Sequence, residues 1–84
     1  MTEKLKTYLK KWLQLLIDRD EILSQNTKDK ATEIVFNRMT ELDYLLASFD
    51  NDEFNIAMEY DRIITNAETK ENYEAILKTI EATP

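Results

Sequence analysis

Apolar residues recur along this chain at spacings of three and four, the period of amphipathic helices. Met1, Leu5, Tyr8, Leu9, Trp12, Leu15, Leu16, Ile22 and Leu23 fall on one broad face when successive residues turn by about 100°. That pattern predicts a first helix over about residues 2–24. Lys4, Lys6, Lys10, Lys11 and Gln14 line its sides and back, and Arg19 projects from the middle of the apolar stripe. Ser24-Gln25-Asn26-Thr27 then ends the helix, and either Asn26 or Thr27 suits the N-cap of the next. A second helix is expected over about residues 28–49, where Ala31, Val35, Met39, Leu42, Leu46 and Phe49 form a narrow stripe close to a heptad seam. Ile34 and Leu45 flank it.

Asp50 followed by Glu53 has the spacing of a capping box and opens a third helix with acids at its positive end. Ile56, Ala57, Tyr60, Ile63, Ile64 and Ala67 share one face of that helix. Tyr73, Ile76, Leu77 and Ile80 share another, rotated by about 130° if the helix ran on unbroken. One straight helix cannot bury both faces on the same neighbour, so a break or kink is expected at residues 65–69, with Thr65 and Glu68 as a second capping-box pattern. Neither glycine nor proline enforces it. The expected fold is all-α: a single-domain antiparallel bundle of three long or four shorter helices over residues 1–84.

Composition narrows the chemistry. The chain has 84 residues, with no cysteine, histidine or glycine. Its one proline is Pro84. Disulfides, thiolate catalysis and the usual histidine base are thereby excluded, as are the glycine-rich phosphate loops. A structural zinc site has none of its customary ligands. No apolar run approaches the roughly 18 residues of a membrane span. The periodic, charged N-terminus lacks a signal-peptide pattern, so the cytosol is the expected compartment and no membrane partner is expected. Abundant lysine, isoleucine and asparagine suit an AT-rich genome, such as that of a low-GC bacterium or its phage.

Charge is unevenly spread. The net charge is −6. Residues 1–42 hold eight bases and seven acids, and residues 43–84 hold three bases and ten acids. An acidic C-terminal half repels phosphate, so no direct nucleic-acid contact is expected.

Carboxylates are the only abundant reactive groups. Glu68, Glu71 and Glu74 at i, i+3, i+6, and Asp18 with Glu21 at i, i+3, have spacings with which all-helical nucleotide pyrophosphatases hold magnesium. Here they point away from the apolar faces, which favours a solvated helix surface. Asp50-Asn51-Asp52 fails as a calcium loop, because Phe54 stands at the fifth position and Asn55 where the EF-hand requires glycine. A cofactor-free mutase acting on a dicarboxylate needs several inward cations. Only Arg19, Arg38 and Arg62 are present as arginines, and pairing with acids such as Asp20 or Glu41 accounts for them. No catalytic residue, metal or cofactor is expected.

The stripes leave out several large residues. Tyr44 lies opposite the second helix's apolar face, Phe36 stands about 100° from that face, and Leu13 and Ile17 lie outside the main arc of the first helix. Met58 and Phe54 project opposite the third helix's stripe. Aromatics and methionine are enriched in protein interfaces, so Leu13, Ile17, Phe36, Tyr44, Phe54 and Met58 are the candidate partner-binding residues. Asp43, Asp50, Asp52, Glu53, Glu59 and Asp61 are the candidates for steering a basic target. The expected function is a non-enzymatic acidic regulator or inhibitor, of the immunity, antitoxin, anti-defence or phage-encoded kind, that binds another protein and forms a homodimer. A nucleic-acid mimic is a variant of that reading. The alternatives are a small magnesium-dependent pyrophosphatase and a purely structural self-assembly module.

Overall fold

The computed structural model describes all residues, Met1–Pro84, and is all-α. Four helices follow in order: α1 (Glu3–Gln25), α2 (Lys28–Ala47), α3 (Asn51–Ala67) and α4 (Lys70–Ala82). Each starts on a side-chain cap that satisfies an otherwise orphaned backbone N–H. Thr2 caps α1, Thr27 caps α2, Asp50 caps α3 and Thr69 caps α4. Of the two candidates at the first turn, Thr27 is the cap. Asp50 and Glu53 form the full reciprocal capping box.

Residues 51–83 form two helices, as the rotation of the apolar face requires. The break differs in detail from the Thr65–Glu68 pattern. Glu68 terminates α3 in the left-handed region at φ 63°, and Thr69 caps α4 by accepting from the Asn72 backbone N–H. The Asn72 side chain donates to the Ala67 carbonyl, tying both sides of the break together.

Side-chain bonds fix the topology. Lys11 pairs with Glu41 at 2.7 Å and Asp18 with Arg38 at 3.3 Å, so α1 and α2 run antiparallel. Thr2 donates to Glu53 at 2.6 Å and Tyr8 to Asp61 at 3.3 Å, so α1 and α3 run parallel. The Met1 amine donates to the Pro84 carbonyl at 3.4 Å and Lys6 to the Glu81 carbonyl at 3.4 Å and the Thr83 carbonyl at 2.9 Å, so α4 runs antiparallel to α1. Helix α1 is thus the hub, packed on all three others.

The core reflects that role. Leu5, Tyr8, Leu9, Leu13 and Leu15 of α1 are buried, joined by Leu42, Ala57, Ile64, Tyr73 and Ile80. Full burial of each large apolar side chain contributes about 1.5–3 kcal/mol. Leu13 is wholly buried, which corrects its reading as an interface candidate. Ile17 is partly buried and packs against the core. An α1 with neighbours on three sides needs an apolar arc wider than one amphipathic stripe, and Leu13 with Ile17 completes it. Tyr8 meets Phe49 edge to face, with ring centroids 5.4 Å apart.

The helices are unequal in reach. Taking 1.5 Å per residue from the Tyr8–Asp61 level, α3 ends at about residue 14 of α1. The Lys6–Thr83 level puts the start of α4 at about residue 18 of α1. Beyond the Asp18–Arg38 pair the α1–α2 hairpin therefore outreaches α3 and α4, with Ile22 and Val35 its residues still packed against the core. The radius of gyration is 13.2 Å and the extents are 39 × 27 × 20 Å, against about 12 Å for a compact domain of this length. Of the core stripe expected on α2, Val35 is partly buried against the core, whereas Met39 lies at the base of the projecting part. Met39 is 48% exposed. Ile56 and Ile63, assigned to the buried face of α3, are exposed for a related reason. The inner face of α3 is centred on Glu53, Ala57 and Ile64, and the two isoleucines lie to one side of it.

Candidate functional site

A cleft of about 140 Å³ opens between α2 and α3, with α1 beneath it. Tyr8, Trp12, Met39, Leu42, Asp43 and Asp61 line it. Extensive α1–α2 packing holds one side and a narrower α1–α3 contact the other, whereas α2 and α3 barely touch each other. Two carboxylates, a phenol and an indole therefore share a small partly apolar space.

Its electrostatics are uncompensated. Neither Asp43 nor Asp61 belongs to any of the four ion pairs of the chain. Asp61 accepts from the Tyr8 hydroxyl, its one side-chain partner. Burial pushes the Asp61 carboxyl above its ordinary value, and the Tyr8 bond opposes that rise in part. Burial also holds the Tyr8 phenol above its usual range, reinforced by the negative charge of Asp61 and then Asp43. The Trp12 indole N–H is buried without an acceptor, and such an orphaned donor costs about 1–3 kcal/mol.

Surface residues beside the cleft continue the site. Tyr44 is 76% exposed and shares a shallow outer depression of α2 with Thr40, Asp43 and Ala47. Phe54, Met58 and Asp61 follow at i, i+4, i+7 on one strip of α3. Phe54 is exposed and Met58 partly buried against the core. Asp43 and Asp61 thus line the cleft, Tyr44 adjoins it through Asp43, and Phe54 and Met58 extend along α3 from Asp61.

The remaining candidates lie elsewhere. Glu53 is buried by the Asp50 capping box, the Thr2 hydroxyl and Lys4 at 3.9 Å. It holds α3 to α1 and is not free to steer a partner, which corrects that expectation. Asp50 is occupied as the N-cap. Asp52 and Glu59 are exposed, on the α3 N-terminus and outer face. Phe36 is 67% exposed and lines a separate apolar groove near the hairpin tip with Leu23, Val35 and Met39.

Glu68, Glu71 and Glu74 are all exposed, and no three acidic side chains converge in a geometry that would hold a metal ion. Arg38 pairs with Asp18, not with Asp20 or Glu41. No helix is long and apolar enough to cross a membrane.

Tyr8 and Trp12 belong to the cleft although their place on an apolar stripe marks them as core. Leu23 and Met39 belong to the groove for the same reason. The useful signal was helix length: α1 and α2, at 23 and 20 residues, outreach α3 and α4, at 17 and 13. A stripe that outruns its partners must end exposed. Comparison with known protein families, characterised proteins and solved structures gives no match to this chain.

Proposed function

We propose that this chain is a non-enzymatic interaction module, a small acidic regulator or inhibitor acting in the cytosol that seats a basic, partly apolar segment of another protein over the α2–α3 cleft. One observation carries the reading: Asp43 and Asp61 line the cleft without a cation from their own chain. A lysine or arginine from a partner supplies that missing charge. Because Asp61 is partly desolvated already, such a pair forms in a medium where charge attraction is stronger than in water. Tyr44, Phe54 and Met58 supply apolar contact around it, with an exposed tyrosine of the kind that anchors interfaces. The acidic C-terminal half raises the encounter rate with a basic target.

The test is capture from a host lysate by the wild-type chain and by the Asp43→Asn/Asp61→Asn double variant, each at low and high salt. The reading expects a stoichiometric protein with the wild type at low salt, lost with the variant. Equal capture by both chains refutes the cleft as the docking site. Capture of nothing refutes the interaction reading.

A further inference from the structure

We infer that the projecting α1–α2 hairpin is the homodimer face of this protein, with Phe36 of each copy entering the apolar groove of the other. The groove measures about 360 Å³ and opens between Leu23 of α1 and Ala31, Val35 and Met39 of α2. It runs on from the α2–α3 cleft as one furrow toward the hairpin tip. Met39 lines both the groove and the α2–α3 cleft, and α3 ends before reaching the hairpin tip. The furrow is therefore built to receive an apolar element and lacks one from its own chain.

Three features select a second copy as the occupant. A two-fold interface requires a surface complementary to itself, and here a knob, Phe36, stands on the rim of the hole it would fill. Charge agrees. Residues 18–38 hold five acids and four bases, net −1, so the rest of the −6 chain carries −5. Residues 43–84 carry −7, so two copies meeting at their hairpins repel less than two meeting through their C-terminal halves. Arg19 is the one charged residue lining the groove and has no ion-pair partner. It disfavours a basic occupant and suits the face of an incoming phenyl ring.

Area agrees as well. A stable interface buries about 800 Å² per partner, roughly one seventh of the chain's 5829 Å². The hairpin's 21 residues are a quarter of the 84 and project from the body, so one of its two faces supplies roughly that amount. The cleft meets this face only at Met39, and its carboxylates Asp43 and Asp61 remain free for a different partner.

Sedimentation equilibrium of the full chain from about 1 μM to about 1 mM should show a reversible monomer–dimer system. Phe36→Asp should raise the dissociation constant at least about 30-fold, as expected for losing a hot-spot aromatic, with the helical circular dichroism unchanged. Because the chain has no cysteine, a second measurement is independent of that variant. Thr32→Cys, on the groove wall, should give disulfide-linked dimers on mild oxidation, and Glu21→Cys, beside Asp18 and Gln25 in a separate notch, should not. A wild type monomeric throughout the range, a dimer indifferent to Phe36→Asp, or equal cross-linking at both cysteines would overturn the inference. The Asp43→Asn/Asp61→Asn variant should dimerise as the wild type does, which separates this face from the cleft.

Discussion

The Tyr8 hydroxyl donates to the Asp61 carboxylate at 3.3 Å, joining the hub helix α1 to α3 at the base of the α2–α3 cleft. The bond places a charge where burial disfavours it, since desolvation is the main cause of the raised Asp61 value. Function and stability pull in opposite directions at this residue.

Asp61→Asn should therefore raise the melting temperature at pH 7 by a few degrees while abolishing partner capture. The amide keeps an oxygen to accept from Tyr8 and removes the buried charge. The sign follows from linkage. A carboxyl with a raised folded-state value binds its proton more readily folded than unfolded, so the wild type gains stability as pH falls. The advantage of the variant should shrink as pH drops through the raised Asp61 value and vanish below the ordinary 3.8. Thermal melts of both chains between pH 7 and pH 3 check this.

Tyr8→Phe probes the other partner. At neutral pH it deletes a hydrogen bond and should cost about 1 kcal/mol. Above about pH 10 the unfolded wild-type phenol ionises, whereas burial and the two nearby carboxylates keep the folded one protonated. The wild type thus loses stability as pH rises there, and Tyr8→Phe lacks that loss. The difference between the two chains in urea denaturation should narrow from pH 8 to pH 11.

Leu13 and Tyr44 both stand outside the main apolar stripes of their helices, and the fold separates them. Leu13 is fully buried and Tyr44 76% exposed. Leu13→Ala should cost about 2–5 kcal/mol, and Tyr44→Ala should stay within about 0.5 kcal/mol of wild type. Urea titrations followed by circular dichroism measure both. Equal effects would mean that the packing around α1 is misassigned.

The same contrast shows what was legible in the chain. Helix periods, the cap at Asp50, the pair Asn26 or Thr27 as the cap of α2, and a break within residues 65–69 follow from local rules; the choice of Thr27 and of Thr69 does not. Local rules do not say how many neighbours a helix has. Leu13 and Ile17 looked surplus to a one-sided stripe because nothing in α1 alone reveals that it packs on three helices. Ile56 and Ile63 looked buried because the inner line of α3 is set by where α1 and α4 stand. Glu53 is legible as the capping-box partner of Asp50, but its bond to Thr2 spans 51 residues and leaves no local sign that it is unavailable for steering. The meeting of Asp43 and Asp61 across the cleft is likewise tertiary, since the two acids sit on different helices.

Glu53 gives a direct measure of that long-range role. Its carboxylate serves the Asp50 N–H, the Thr2 hydroxyl and Lys4 together. Glu53→Ala should cost about 2–3 kcal/mol, combining a lost cap with unmet partners. Asp52→Ala, its exposed neighbour, should change stability by less than about 0.5 kcal/mol. Urea midpoints of the two variants decide between a structural and a purely electrostatic Glu53.

Glu68 is the one residue at positive φ, 63°, in a chain without glycine. It ends α3 in the left-handed conformation that glycine usually supplies at this position. A residue with a Cβ pays about 1–2 kcal/mol there, and the tie from Asn72 to the Ala67 carbonyl at 2.8 Å helps hold the turn against it. Glu68→Gly removes the steric penalty but gives the unfolded chain more freedom, which offsets part of the gain. The net effect should be a stabilisation of roughly 0.5–1 kcal/mol. Asn72→Ala should destabilise the wild type more than it destabilises Glu68→Gly, because the side-chain tie matters most where the turn is strained. A double-mutant cycle in urea measures that coupling. Strict additivity of the two changes would show that the tie and the strained turn are independent.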